Sequence, residues 1–182
     1  MKKAERIAVA GATGMVGKAF LNLLEEHFFP EANVDLLASK KSQGKKVSFR
    51  GKNLFIKNLE EFDFSDTDLA LFSAGASVSA EFAPKAVSQG CVVVDNSSCF
   101  RYQETVPLIV PEVNGYLLEN YDLPNIIANP NCSTIQMLVA LKPIHDAFKI
   151  KRIDITTLQA VSGTGKKATE ELLSQLSSYN GD

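Results

Sequence analysis

The sequence predicts an α/β fold: a doubly wound, Rossmann-like, mostly parallel sheet followed by the beginning of a second α+β domain. Three observations carry this. Short strands, apolar on both faces, alternate with stretches of helical periodicity from Arg6 onward. The first strand passes through a glycine turn straight into a helix, and the alternation gives way near Lys151 to a period-two pattern. A strand that is apolar on both faces needs helices above and below it, and strand–helix–strand repetition supplies them.

Arg6 to Ala10 reads as the first strand and Met15 to His27 as the first helix, with His27 compensating the dipole at its end. Val34 to Ala38 is the second strand, and Val47–Phe49 with Leu54–Ile56 form a hairpin insertion turning at Gly51. Leu69 to Phe72 is a buried strand, Val78 to Ser88 a helix entered at Ser77, and Cys91 to Val94 the next strand. Three prolines make residues 107–129 mostly irregular, with a strand at Asn125 to Ala128. Ser133 to Phe148 is a helix, with Pro143 as a point of kinking or division. Lys151 to Val161 alternates like a strand with unlike faces, and Lys166 to Leu176 is helical. One strand and one helix cannot bury a sheet face alone, so this tail calls for further chain, a partner copy or cover from the first domain. The domains expected are 1–131 and 132–182, the second of them incomplete.

Composition narrows the function. With 182 residues, 45% apolar and 22% charged, the chain can bury a core. A net charge of −2 gives no general attraction to nucleic acid or an anionic membrane. The apolar run Ile7–Ala10 is too short for a signal-peptide core despite Lys2 and Lys3, and no stretch approaches the ~20 apolar residues of a membrane span, so a cytoplasmic location is expected. Cys91, Cys99 and Cys132 follow no metal-ligand spacing and are read singly as free thiols.

The turn Gly11-Ala-Thr-Gly14-Met-Val-Gly17 has the context of a dinucleotide site. Gly11 permits the tight turn, Gly14 lets backbone approach a pyrophosphate, Gly17 lets the helix press on the sheet, and free amides at the helix start meet the phosphate charge. A nicotinamide cofactor lacking a 2′-phosphate usually meets an acidic residue at the end of the second strand; here that place reads Ala38-Ser39-Lys40-Lys41-Ser42. Hydroxyls and ammonium groups suit a phosphate, so NADP is expected over NAD, with Ser39, Lys41 and Ser42 placed for it. Asp35 lies at the wrong end of the strand. Residues 40–57 hold seven basic and no acidic side chains, most of them assigned to a solvated hairpin face.

Asn129-Pro130-Asn131-Cys132-Ser133-Thr134 joins a buried strand to a helix, placing Cys132 near the helix's first turn, where the positive end of a helix dipole favours thiolate. In a doubly wound sheet that is the same edge as the glycine turn, so nucleophile and hydride carrier share a crevice. Cys91 is read as core, and Cys99 as a loop thiol near Arg101, within approach of the site, to which nothing in the sequence gives a role. A thiolate beside a nicotinamide suggests aldehyde oxidation, or reduction of an activated acyl group, through a thiohemiacetal and a thioester. Neither histidine serves as proton shuttle: His145 lies about 20 Å along a straight helix from Cys132 and about 220° around it, and His27 ends the first helix.

Six ordered motifs resemble the aspartate-semialdehyde dehydrogenase family: Gly-Ala-Thr-Gly-Met-Val-Gly at 11–17, Phe-Ser-Ala-Gly at 72–75, Asp-Asn-Ser-Ser-Cys-Phe-Arg at 95–101, Pro-Glu-Val-Asn at 111–114, Asn-Pro-Asn-Cys-Ser-Thr at 129–134 and Leu-Gln-Ala-Val-Ser-Gly at 158–163. The resemblance spans the chain but only about the first half of the family's usual length. It implies Cys132 as the acyl-thioester nucleophile. Gln159 and Asn131 would position the substrate, and Arg101 would hold the transferred phosphate or a carboxylate-like anion. It implies that Thr13, Gly14, Met15 and Val16 line the pyrophosphate, that Lys41 and Ser42 hold the 2′-phosphate, and that Ser73, Ala74 and Gly75 form the neighbouring edge. Asn96 would touch cofactor or substrate, and Ser162 and Gly163 would reach the nicotinamide side. The implied reaction is NADPH-dependent reduction of aspartyl phosphate to aspartate semialdehyde with release of phosphate, toward lysine, methionine and threonine, in a homodimer or higher homo-oligomer. Lys41 stands where the family commonly has Arg, keeping the charge but losing the bidentate fork. The family's catalytic His and substrate-carboxylate Arg lie in a later part of the second domain, so residues 1–182 are expected to carry the nucleophile without the shuttle.

Other readings fit less well. N-acetyl-glutamyl-phosphate reductase shares fold and chemistry, but its cysteine usually sits in a Gly-Cys-Tyr-Pro context. A short-chain dehydrogenase needs Tyr and Lys four apart, and Tyr102, Tyr116 and Tyr121 precede Val106, Asn120 and Asn125 at that spacing. A non-catalytic NADP-binding or subunit-interaction module remains the alternative from a different class.

Overall fold

A computed structural model of the chain describes residues 4–119, 121–122 and 125–179; Lys2, Lys3 and Asn120, used above, lie outside them. Two compact units form, Met1–Lys149 and Ile150–Asp182.

The first unit is built on a seven-stranded sheet. Its strands are β1 (Arg6–Ala10), β2 (Asn33–Ala38), β3 (Lys46–Phe49), β4 (Lys52–Asn58), β5 (Leu69–Phe72), β6 (Val92–Asp95) and β7 (Ile126–Ala128), in the spatial order β3-β4-β2-β1-β5-β6-β7. Every pairing is parallel except β3 with β4. The order runs outward from β1 in both directions, the topological switch that opens a crevice beyond the carboxyl ends of the strands.

Helices α1 (Met15–Glu26) and α2 (Ala76–Ser88) cover opposite faces. On one face Leu21 and Leu24 of α1 close over Ile7, Val9 and Leu36. On the other, Phe82, Ala83 and Ala86 of α2 join Ala8, Ala10, Phe64, Phe72 and Cys91. Burial of these aliphatic and aromatic side chains, worth ~1.5–3 kcal/mol for each large one, holds the sheet against the entropy of ordering it.

Several elements differ from expectation. The hairpin is not an insertion: β4 pairs in parallel with β2, Leu36 beside Ile56, so β3 and β4 extend the main sheet. Within its basic stretch, expected to be mostly solvated, Arg50 is engaged with backbone. The Arg50 guanidinium donates to the carbonyls of Leu24, Phe28, Phe29 and Ala32, so this residue, rather than His27, meets the acceptors left at the end of α1. α2 begins at Ala76 behind Gly75, slightly earlier than Ser77 suggested. Residues 107–119 include a short helix, α3 (Pro111–Asn114), and a 3-10 turn at Gly115–Leu118. α4 (Cys132–Phe148) stays one helix through Pro143.

In the second unit the strand expected at Lys151–Val161 does not form. Residues 151–160 carry no regular structure, a 3-10 turn occupies Val161–Thr164, and α5 (Lys166–Ser178) follows. A strand exists only when a neighbour takes its N–H and C=O groups, and among the described residues of this unit no other segment does so.

Candidate functional site

The residues immediately after β1, β5, β6 and β7 line up along one sheet edge, because each continues the ladder for one more bond. Gly11 N–H donates to Leu37 O (2.9 Å), Ser73 N–H to Ala10 O (2.9 Å), Asn96 N–H to Phe72 O (2.9 Å) and Asn129 N–H to Asp95 O (3.2 Å). The glycine turn, the Ser73–Gly75 loop, the Asn96–Arg101 loop and the cysteine loop are therefore held in a row.

At the glycine turn the backbone requires its glycines. Gly11 has φ +86°, and a Cβ there would lie 2.8 Å from the Ser73 carbonyl carbon; a Cβ on Gly17 would overlap Gly11 O. Gly14 N–H closes the turn onto Gly11 O at 2.9 Å. No side chain caps α1, which leaves the amides of Met15, Val16 and Gly17 at its positive end open to an anion. α2 likewise starts at Gly75 with no side-chain cap.

Between these two helix starts lies a cleft of about 330 Å³ lined by Gly11, Thr13, Gly14, Ser39, Ser73 and Ala74. Ala38, Leu59, Glu60, Val78 and Phe82 complete its wall. The Ser73 hydroxyl is buried without a hydrogen-bond partner among the described residues. An apolar wall, hydroxyls and two uncapped helix starts fit a dinucleotide. Lys41 and Ser42 sit in the single turn (Lys40–Ser42) that follows Ser39, next along from the cleft lining. Asp35 is engaged elsewhere, 2.6 Å from Lys57 Nζ and 3.4 Å from Arg6 Nε.

Leu59 and Glu60 escaped the sequence reading. They reach the cleft because β4 runs parallel to β2, so Leu59 N–H donates to Ala38 O at 2.9 Å. No local signal marks a residue whose place depends on which strand it pairs with. A larger groove of about 760 Å³, lined by Arg6, Asn33, Leu69 and Val92 among others, opens at the amino ends of the strands, the edge remote from the glycine turn.

Cys132 is the first residue of α4 and its thiol is exposed. Asn131 caps the helix, its Oδ1 accepting from Ser133 N–H at 2.9 Å and standing 3.9 Å from Cys132 Sγ. The half-buried Arg101 guanidinium donates through Nε to Asn129 O (3.0 Å) and through Nη2 to Asn96 O (3.1 Å), and Asn129 Nδ2 donates to Asn96 Oδ1 at 2.6 Å. Part of Arg101's fork is thus spent on backbone; its remaining N–H groups are what an anion would meet. Cys91 is fully buried, and burial with the nearby Asp68 charge pushes its thiol up to about 12. Burial and Asp95 also raise Cys99. His145 lies in the last turn of α4, whose first residue is Cys132.

The remaining expected site residues belong to the second unit. There Gly163 makes room for the Gln159 amide: a Cβ on Gly163 would overlap Gln159 Nε2. Ser162 stands in the same 3-10 turn as Gly163.

Residues 6–121 match the family model described as semialdehyde dehydrogenase, NAD binding domain, and residues 141–181 match that described as semialdehyde dehydrogenase, dimerisation domain. An aspartate-semialdehyde dehydrogenase of Legionella pneumophila is 57% identical over 176 residues, 97% of this chain and 51% of that protein. The crystal structure of aspartate semialdehyde dehydrogenase II from Vibrio cholerae complexed with ASA superposes with a TM-score of 0.91 at 51% identity, over 97% of this chain and 52% of that one. The Candida albicans enzyme with NADP gives a TM-score of 0.73 at 30% identity, over 88% of this chain and 52% of that one. The chain therefore spans about half the length of these relatives. A glycine turn and an exposed thiol on one edge of a doubly wound sheet, together with the two matched domain models, show that this chain belongs to the semialdehyde dehydrogenase family.

Proposed function

We propose that this chain is the cofactor-binding and nucleophile-bearing part of an NADP-dependent aspartate-semialdehyde dehydrogenase. Residues 1–131 bind the dinucleotide, and 132–182 open the catalytic and dimerisation domain of a homo-oligomer working in the cytoplasm. The observation that carries this reading is the exposed Cys132 thiol at the first position of α4, on the sheet edge that holds the glycine turn.

Thr13, Gly14 and the free amides of Met15, Val16 and Gly17 take the pyrophosphate, and Ser73, Ala74 and Gly75 line its other side. Ser39, Lys41 and Ser42 take the adenosine 2′-phosphate. The choice of NADP is supported by their hydroxyls and ammonium at the end of β2 and by the Candida albicans relative determined with NADP. When bound, the reduced nicotinamide supplies the hydride that an acyl group needs to leave as an aldehyde. The protein's own part is nucleophilic: Cys132 sulfur attacks the acyl carbon of aspartyl phosphate, the acyl–oxygen bond breaks, and phosphate departs with that oxygen, leaving a thioester. Arg101 meets the departing phosphate with the N–H groups it does not spend on Asn96 and Asn129. Asn131, Gln159 and Asn96 orient the acyl group, and Ser162 and Gly163 line the nicotinamide side.

Incubating the chain with aspartyl phosphate and no cofactor tests this directly. Peptide mass spectrometry is expected to find one aspartyl thioester on Cys132, absent from Cys132→Ala. A chain that remains unacylated, or acylates equally well in Cys132→Ala, overturns the reading.

A further inference from the structure

We propose that Asp95 is a positioning residue for Cys132, rooting a hydrogen-bonded clamp that sets the cysteine loop; the inference rests on reading Cys132 as the nucleophile. Asp95 ends β6 and is 0% exposed. Its carboxyl group has no Lys or Arg partner among the described residues. Instead Oδ1 accepts from Ser79 Oγ of α2 at 2.7 Å and from Ser97 N–H at 3.1 Å, and Oδ2 accepts from Ser97 Oγ at 2.6 Å. Ser97 Oγ in turn accepts from Cys99 N–H at 3.1 Å. A buried acid held only by hydroxyls and an amide is a poor choice for stability, since an apolar side chain of similar size avoids the desolvation cost.

What the knot does achieve is a fixed path for residues 95–101, and that segment grips the cysteine loop in several places. Asp95 O accepts from Asn129 N–H, Asn96 Oδ1 accepts from Asn129 Nδ2, and Arg101 joins Asn96 O to Asn129 O. Asn129 Oδ1 is left buried with no partner among the described residues, so this amide is oriented by the clamp and not by satisfying all its own atoms. Two residues on, Asn131 caps α4 and sets the start of the helix that presents Cys132. The chain of contacts thus runs from α2, through Ser79, Asp95 and Asn96, to the residues that place the sulfur. A misplacement of ~1 Å at a reacting atom can cost on the order of 10²-fold in rate, so rigidity here has a catalytic reason.

The test compares wild type, Asp95→Asn, Ser97→Ala and Ser97→Thr in the 182-residue protein, by hydrogen exchange and by single-turnover acylation. Exchange at Asn129, Ser133 and Ile135 is expected to quicken about tenfold in Asp95→Asn and Ser97→Ala while amides of β1 and β2 keep their rates, and Ser97→Thr restores the wild-type pattern. The maximal acylation rate is expected to fall roughly tenfold, with the half-saturating aspartyl phosphate concentration within about twofold. If Asp95→Asn does not fold, Ser97→Ala decides alone. Exchange that rises equally across the sheet, or that stays unchanged at residues 129–135, overturns the clamp. Absent acylation in wild type sinks the proposed function instead, and leaves the exchange result to judge the clamp by itself.

Discussion

Cys91 and Cys132 carry the same side chain at opposite extremes of solvation, and their chemistry diverges accordingly. Iodoacetamide at neutral pH is expected to modify Cys132 and spare Cys91 in the folded chain, as read by peptide mass mapping; equal labelling counts against the placement of either thiol. The buried thiol also leaves a signature at high pH. Its pKa is raised from 9.0 to about 12, so the stability from burying neutral Cys91 is complete below about pH 9 and drains away as pH climbs toward 12. Urea unfolding of Cys91→Ala should show a flatter decline over that interval than wild type. On the proposed NADP reading, cofactor choice is likewise a matter of single charges. Lys41→Glu is expected to weaken NADP binding by about tenfold or more, because a charge-assisted hydrogen bond contributes ~1.5–3 kcal/mol, and to leave NAD binding nearly unaltered by calorimetry. Equal losses for both cofactors would remove Lys41 from the 2′-phosphate. The Cys132 and glycine-turn readings were legible because each depends on a residue's place between one strand and the helix that follows. Glu60 was not, since it reaches the cleft that Ser39 lines only through pairing of β4 with β2.

Among the elements, α1 shows how local signals and distant contacts divide the work. Its start is written in the glycine spacing: Gly17→Ala would drive a Cβ into Gly11 O, so the variant should lose ~1–3 kcal/mol by overpacking and bind dinucleotide poorly. Thermal unfolding with and without NADP checks both effects. Its end depends on Arg50, 23 residues beyond His27 in the sequence and in the turn of the β3–β4 hairpin. Arg50→Ala strips donors from four carbonyls and is expected to cost ~1–3 kcal/mol in chemical unfolding, whereas His27→Ala should cost much less. Periodicity recovered every strand of the sheet because each is a run buried on both faces or alternating against a neighbour. The same periodicity misread residues 151–161, where the alternation is present and the partner strand is not.

For the whole molecule, the contrast between the units is one of burial. The first packs two apolar layers on its sheet, while in the second Leu158, Leu173, Leu176 and Tyr179 are exposed. Leu172, Leu173 and Leu176 fall on one face of α5, within the segment matched to a dimerisation domain. Sedimentation is expected to show concentration-dependent self-association, reduced in Leu173→Lys/Leu176→Lys; a monomer at all concentrations would remove α5 from the interface. By itself the sequence determined the fold class, the glycine turn and the position of Cys132 at a helix start, because each follows from neighbours within a few residues of the chain. Only the tertiary structure decided that the β3–β4 hairpin joins the main sheet, that Arg50 closes α1, that Glu60 enters the cleft and that Asp95 grips the cysteine loop. Those are contacts between segments far apart in sequence, and pairing of that kind is set by which surfaces can be buried together, a property no local pattern contains.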